Sequence, residues 1–166
     1  VVPDMMTFAK GLGNGLAIGG VVARGELMDC LTANSISTFG GNPLAAAGAL
    51  ANLQYLLDND LQENARRVGA SIMTRLREHT ANVPIVGDVR GKGLMIGLEL
   101  VKPGGTDPNP EAAAIVLERT RARGLLVGKG GPHGSVLRIT PPLSVSHGEA
   151  DEGIDILLTA LADVGT

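Results

Sequence analysis

The sequence is poor in the residues that mark several common classes of protein. It has one cysteine, Cys30, so an internal disulfide and a cysteine-based zinc site are both excluded. Tryptophan is absent, and the aromatic residues are only Phe8, Phe39 and Tyr55. Side chains that stack on bases are therefore scarce, and the net charge of −3 gives no general attraction for nucleic acid. We predict that this protein binds no nucleic acid.

Features of membrane, secreted and metal-binding proteins are missing as well. No uninterrupted apolar run reaches membrane-spanning length, and the N-terminal residues show no signal-peptide pattern. The histidines, His79, His133 and His147, lack metal-ligand spacing, so we expect no metal site. A lone cysteine fits a reducing compartment. We expect the cytoplasm, or the mitochondrial matrix if the source is eukaryotic.

Small and aliphatic residues are abundant, and their patterns predict an α/β protein. Hydrophobic residues make up 44% of the 166, enough for a sizeable core, and the 24 glycines follow no repeat. We expect a domain boundary near residue 80, with an α/β part at 1–80 and a compact α+β part at 81–166. The predicted strands are 5–9 and 16–23 (both buried), 85–90, 94–101, 125–127 and 136–140; the main predicted helices are 43–57, 61–79, 111–123 and 149–164.

Lys10 is the only ionisable residue between Asp4 and Arg24. Apolar runs flank it on both sides, and a glycine-rich turn, 11–15, follows it directly. Such surroundings would desolvate the ammonium group and lower the pKa of Lys10, which makes the amine suitable for imine chemistry. The alternative is a lysine at a strand end whose charged group extends to water.

Two further sites, one at Ser37 and Thr38 and one at Arg138, suggest anion binding. Ser37 and Thr38 precede a glycine pair and a predicted helix start at Asn42-Pro43, where hydroxyl and backbone N–H groups suit a phosphate. A simple capping turn is the alternative. Arg138 lies in an apolar strand and needs an anionic partner, which is either a substrate carboxylate or a carboxylate of the protein itself.

Five stretches, in this order, resemble the class III aminotransferases, pyridoxal-phosphate enzymes of fold type I. They are PDMMTFAKGLGNGLAIGGV (3–21), STFGGNPLAAA (37–47), VGDVRGKGLMIGLELV (86–101), GLLVGKGG (124–131) and LRITPPL (137–143). The sequence of these stretches is most similar to that of the alanine–glyoxylate branch of the class. The resemblance implies the end of a large cofactor-binding domain at 1–80, followed by the small C-terminal domain at 81–166.

The resemblance also implies roles for three residues. Lys10 matches the catalytic lysine that forms the internal aldimine with the cofactor, pyridoxal 5'-phosphate. Thr38 matches a threonine that binds the cofactor phosphate in the neighbouring subunit's site, which implies a homodimer with shared active sites. Arg138 matches the arginine that holds a substrate carboxylate.

The family's upstream motifs do not occur in this sequence, among them the aspartate that pairs with the cofactor's pyridine nitrogen. The chain also begins Val1-Val2-Pro3-Asp4, without methionine, at a predicted strand. We therefore expect a C-terminal fragment that is inactive alone.

The intact enzyme is expected to transfer an amino group between an amino acid or primary amine and a 2-oxo acid such as pyruvate or glyoxylate. The alternatives are an aminomutase or decarboxylase on the same scaffold, or a non-catalytic assembly module.

Overall fold

The computed structural model describes residues 1–164, which form two compact units. The first unit comprises Val1–Asp60, and the second begins at Leu61. The division between the compact units lies after Asp60, and the domain boundary expected near residue 80 stays a prediction. The reason is the helix that follows Asp60, because this helix packs against elements of the second unit.

The first unit contains a β-hairpin and two helices. Strand β1, Met5–Ala9, pairs antiparallel with β2, Gly19–Ala23, in a two-stranded sheet. A 3₁₀ helix at Lys10–Leu12 begins the connection between them. A short helix α1, Gly25–Met28, precedes the long helix α2, Pro43–Asp58.

The prediction that the hairpin strands are buried is wrong for this chain. Every residue of β1 is exposed, and in β2 only Ala23 is partly covered. Within the described residues no third strand pairs with either one, so the apolar side chains of a lone two-stranded ladder remain in contact with solvent. The apolar pattern of the two strands favours burial, but both strands are exposed in residues 1–60.

Helix α2 begins where its capping residues predict. The Asn42 side-chain oxygen accepts a hydrogen bond from the Ala45 N–H at 3.0 Å, and Pro43 occupies the first turn, where a missing N–H costs nothing. The Asn42 side chain also donates to the Phe39 carbonyl at 3.0 Å, which ties the preceding turn to the helix start.

The second unit packs three helices against an antiparallel sheet of order β3-β4-β6-β5. The helices are α3 (Leu61–Thr80), α4 (Pro110–Ala122) and α5 (His147–Ala162), and the strands are β3 (Val86–Lys92), β4 (Met95–Leu100), β5 (Gly128–Gly130) and β6 (Val136–Ile139). The four-stranded antiparallel sheet with helices confirms the expected compact α+β arrangement here.

The core of this unit is aliphatic, as the scarcity of aromatics predicts. Side chains from all three helices and from the central strands β4 and β6 have almost no contact with solvent, and each contributes about 1.5–3 kcal/mol by burial. The largest are Val68, Leu76, Ile96, Leu98, Leu100, Val116, Leu137, Leu157 and Leu161.

Ion pairs join α3 to α5 at the edge of this core. Arg75 donates to the Asp151 carboxylate at 2.8 Å and to that of Asp155 at 2.7 Å, one helical turn further along. These hydrogen bonds raise the pKa of Arg75. This contact between helices is part of the reason that α3 belongs to the second unit.

Strand β5 lies at a different place from the one predicted. The sequence predicts a strand at Leu125-Leu126-Val127. The ladder instead forms at Gly128–Gly130, and Leu126 is 82% exposed. Strand pairing needs only backbone groups and room for the partner's side chains, and the glycines supply both opposite β6. An apolar run alone did not indicate this.

In the described part of the chain, no helix is both long enough and apolar enough to cross a bilayer.

Candidate active site

Lys10 begins the 3₁₀ helix directly after β1, and its backbone has a φ of 53°. This left-handed conformation is uncommon for a residue with a Cβ, and it costs roughly 1–2 kcal/mol. The Lys10 carbonyl accepts a hydrogen bond from the Gly13 N–H at 3.0 Å, and the Gly13 carbonyl accepts one from Leu16 at 3.1 Å. We call residues 10–16 the lysine turn. Its hydrogen bonds hold the backbone of Lys10 in a strained conformation, which is common at functional positions.

The surroundings of Lys10 differ from the expected apolar pocket. The side chain is exposed, because the apolar runs on either side form the exposed hairpin. Within residues 1–164 the Lys10 amine makes no hydrogen bond or ion pair. The desolvation expected from the sequence is therefore not found in this chain, but the amine is free to react.

Helix α2 packs on the lysine turn. The side-chain amide of Asn52 donates to the carbonyls of Gly11 at 2.9 Å and of Leu12 at 3.1 Å. One turn earlier, a Cβ at Gly48 would lie 2.3 Å from a methyl carbon of Leu16, so the glycine makes room for that side chain. Sequence reasoning missed Asn52. Its only signal was an amide in the interior of a mostly apolar helix, a signal that Gln54 shares.

Thr38 lies in an exposed turn, residues 38–41, that leads into α2. The Ser37 carbonyl accepts from the Gly40 N–H at 3.0 Å, and Asn42 provides the helix cap. The capping alternative thus belongs to Asn42 and not to the two hydroxyls. In the described residues the Thr38 hydroxyl has no hydrogen-bond partner, so it remains able to bind a ligand.

Arg138 lies on β6 between the buried residues Leu137 and Ile139, and its own side chain points to the opposite, exposed face. No carboxylate of the described residues lies within 4 Å of its guanidinium, whereas every other arginine makes a hydrogen bond or ion pair. The internal salt bridge considered as an alternative is therefore not present in residues 1–164.

An apolar cavity of about 130 Å³ adjoins Arg138. Its walls include Leu125, Ile139, Ile154 and Leu157. Glu149 lies at its margin, where hydrogen bonds from the backbone and hydroxyl of Ser146 lower the pKa of the glutamate. This carboxylate is thus engaged by the helix cap.

The three predicted site residues are divided between the two units. Lys10 and Thr38 belong to the first unit and Arg138 to the second, and each presents a group without a partner in the described residues. An amine, a hydroxyl and a guanidinium are respectively suited to an aldehyde, a phosphate and a carboxylate. The described residues include no cluster of three potential metal ligands.

Comparison with known proteins identifies the family. The family model for class-III aminotransferases matches residues 1–161. The chain belongs to the class III aminotransferase family. The resemblance found in the sequence is thereby confirmed.

Several known proteins are similar to the chain along nearly its whole length. An alanine/serine racemase of Pyrococcus horikoshii is 40% identical over 166 residues, which are 100% of this chain and 35% of that protein. A mitochondrial alanine–glyoxylate aminotransferase 2 homolog of Arabidopsis thaliana is 42% identical over 153 residues, 91% of this chain and 32% of that protein. The chain thus spans about a third of the length of the curated relatives it matches.

A solved structure confirms the α/β fold of this class III aminotransferase chain. The phospholyase from Arthrobacter in complex with phosphoethanolamine superposes with a TM-score of 0.92 at 37% identity. The superposition covers 98% of this chain and 39% of the phospholyase.

Proposed function

We propose that this chain forms the C-terminal portion of a pyridoxal-phosphate-dependent transaminase. The enzyme would transfer an amino group between an amino acid or primary amine and a 2-oxo acid of the pyruvate or glyoxylate type. The observation that carries the proposal is Lys10, a lysine with a strained backbone at the start of a glycine turn in a class III aminotransferase sequence, whose amine has no partner within residues 1–164. In this proposal, residues 1–80 are the end of the cofactor domain with its linking helices, and 81–166 are the small domain.

The residues present fit the cofactor. The exposed amine of Lys10 can attach to an aldehyde, and the exposed hydroxyl of Thr38 can donate to a phosphate. Pyridoxal phosphate, when bound, supplies the aldehyde and the electron sink that make a substrate's α-carbon acidic.

Lys10 would have two tasks in this scheme. Its Nζ atom would hold the cofactor between turnovers. After the substrate amine displaces it, the same atom would take the proton from the substrate's α-carbon and deliver it to the C4′ carbon of the cofactor. An exposed amine that has no carboxylate partner among the described residues is able to do both. A lysine held in an internal ion pair would first have to break it.

Thr38 would serve the neighbouring subunit, donating its hydroxyl to the phosphate bound there. This assignment implies a homodimer in which each complete site uses two chains. It is supported by the exposure of Thr38 and by the absence of a hydrogen-bond partner for its hydroxyl within residues 1–164.

Arg138 would bind the substrate carboxylate. A guanidinium offers two parallel N–H donors, which match a carboxylate in geometry and in charge. The support is that Arg138, unlike the other arginines, has no hydrogen-bonding or ionic partner in the described residues.

This proposal assigns activity to the whole enzyme, and we expect residues 1–166 alone to bind pyridoxal phosphate weakly and to turn over nothing. The expected compartment remains the cytoplasm, or the mitochondrial matrix in a eukaryote. A purified, monodisperse protein of these 166 residues with measurable transamination would refute the expectation of inactivity.

A second candidate activity is amino-acid racemisation, because the relative from Pyrococcus horikoshii is an alanine/serine racemase and is similar over the full chain. Racemisation also requires a lysine able to move the α-proton, but it needs no 2-oxo acid. An aminomutase, a decarboxylase and a non-catalytic module are the remaining alternatives.

One experiment separates these candidates. The holoenzyme is incubated with an amine donor, with and without pyruvate or glyoxylate, and the products are resolved on a chiral column. A transaminase forms alanine or glycine only when the oxo acid is present. Formation of the opposite enantiomer without oxo acid would indicate a racemase, loss of carbon dioxide a decarboxylase, and a shifted amino group an aminomutase. No reaction and no reducible cofactor would indicate a non-catalytic module.

A further inference from the structure

Asn52 makes two hydrogen bonds to the lysine turn although it is distant from Lys10 in the sequence. The side-chain nitrogen lies 2.9 Å from the Gly11 carbonyl oxygen and 3.1 Å from that of Leu12. These are the two residues that follow Lys10 in the 3₁₀ helix. Asn52 is partly buried on α2, and its amide is the one side chain of that helix that hydrogen-bonds to this turn.

The two hydrogen bonds restrict a segment that is otherwise poorly restrained. Glycine has wide conformational freedom, and three of the seven residues of the lysine turn are glycines. Gly15 has a φ of 107°, and Lys10 itself has a φ of 53°. The turn has only two internal backbone hydrogen bonds between Lys10 and Leu16. Donation to two successive carbonyls from a helix therefore fixes the orientation of the Gly11–Leu12 and Leu12–Gly13 peptide groups, which follow Lys10 in the 3₁₀ helix.

Packing against α2 supports the same anchoring. Gly48 precedes Asn52 by one helical turn and thus lies on the same face of α2. The Leu16 side chain approaches Gly48 so closely that any Cβ there would overlap it. Asn52 and Gly48 thus secure the turn at two places, 11–12 and 16.

We propose that Asn52 is a positioning residue for Lys10. By holding the carbonyls of Gly11 and Leu12, it maintains the strained backbone of Lys10 and therefore the direction in which the Cα–Cβ bond points the amine. This inference rests on the proposed function of Lys10. Asn52 touches neither substrate nor cofactor in this account, and it acts through the turn.

The test uses two pairs of variants of the holoenzyme. N52D keeps the size of the side chain but removes both N–H donors, and N52A removes the amide without adding charge. Gln54 provides the matched controls Q54E and Q54A, because it is exposed on the same helix and makes no side-chain hydrogen bond in the described residues.

Hydrogen exchange, borohydride trapping and steady-state kinetics are measured on all four variants. Hydrogen exchange reports the stability of the amides of Gly13 and Leu16, which close the lysine turn. Borohydride trapping of pyridoxal phosphate, followed by peptide mapping, reports the rate of covalent attachment at Lys10. For N52D and N52A we expect hydrogen exchange at these amides to become about tenfold faster. We expect covalent trapping at Lys10 to become about tenfold slower. We also expect kcat to fall with little change in KM, and Q54E and Q54A to match the unaltered enzyme.

Each other outcome overturns the inference. If exchange becomes faster but trapping and kcat stay unchanged, Asn52 only stabilises the turn. If the Asn52 and Gln54 variants behave alike, the hydrogen bonds have no role in positioning. In both cases trapping at Lys10 in the unaltered enzyme leaves the proposed function intact. Trapping at another lysine in the unaltered enzyme would refute the proposed function and this inference together.

Discussion

Gly128 on β5 lies directly opposite Arg138 on β6, and the arginine side chain lies over the glycine. A Cβ at position 128 would be 3.0 Å from the Nε atom of Arg138 and 3.2 Å from one of its terminal nitrogens. The absence of a side chain at 128 therefore provides the space in which the guanidinium rests. Arg138 has no carboxylate partner in the described residues, and its guanidinium lies against the glycine-rich strand β5.

The variant G128A should displace the Arg138 guanidinium. We expect KM for a carboxylate-bearing substrate to rise several-fold with kcat nearly unchanged, because the group that moves is proposed to bind substrate and takes no part in the chemistry. Stability should change little, since the obstructing atoms belong to the flexible end of a side chain. Steady-state kinetics gives both constants.

Gly130 provides the control for this prediction. It lies on the same strand, and a Cβ added there meets no atom within 4 Å. G130A should therefore have the kinetics of the unaltered enzyme. Equal effects of G128A and G130A would mean that the strand, and not the space for Arg138, determines KM.

The variant R138K should raise KM strongly for substrates that carry a carboxylate. Lysine keeps the positive charge but lacks the planar pair of N–H donors, so bidentate binding is lost. An amine donor without a carboxylate should be much less affected in its own half-reaction. Comparison of the two donors in single-turnover experiments checks this. Equal losses for both would contradict a role in carboxylate binding.

Thr38 permits a direct test of shared active sites. A K10A chain and a T38V chain are each expected to be inactive or nearly so as homodimers. If Thr38 serves the neighbouring site, a mixed dimer contains one site with both Lys10 and Thr38 intact. Subunit exchange at equal concentrations should then restore roughly a quarter of the activity, since half of the dimers are mixed. If mixing restores nothing, Thr38 acts within its own chain or not at all.

Helix α5 should contribute a pH-dependent term to stability through its capping box. Ser146 accepts from the Glu149 N–H, and the Glu149 carboxylate accepts from the Ser146 backbone and hydroxyl. These hydrogen bonds lower the pKa of Glu149 in the folded protein. The stabilisation is therefore fully present above the ordinary pKa of 4.5 and is lost as the pH falls through the lowered value.

Thermal unfolding of E149Q at a series of pH values checks this prediction. The variant should lose part of the acid-induced fall in Tm, because glutamine does not titrate. Glu152 is exposed on the same helix and makes no side-chain hydrogen bond in the described residues, so E152Q serves as the control. An identical pH dependence for both variants would show that the capping carboxylate adds nothing.

The helices of this chain are predictable from local signals. Asn42 and Ser146 mark the starts of α2 and α5, and the buried positions Val68, Ile72 and Leu76 of α3 follow helical spacing. Caps and periodicity depend on neighbouring residues in the sequence, so a single sequence contains the information. Candidate residues could be chosen in the same way, because Lys10 and Arg138 are charged residues in apolar segments.

Features that depend on distant contacts were not predictable. β5 forms at a glycine-rich segment in which Gly128 fits opposite Arg138, a relationship that only the paired strands show. The exposure of Lys10 was missed because an apolar pattern indicates that a segment favours burial but does not indicate which part of the protein covers that segment. Asn52 was missed because its partners lie about forty residues earlier in the sequence.

The role of Lys10 is tested most directly by determining the site of covalent cofactor attachment. The holoenzyme is reduced with borohydride, digested, and analysed by mass spectrometry for the pyridoxyl group. We predict the modification on Lys10, and we predict that K10A retains only dissociable cofactor and loses transamination. A pyridoxyl group on Lys92 or Lys129, or full activity of K10A, would contradict it.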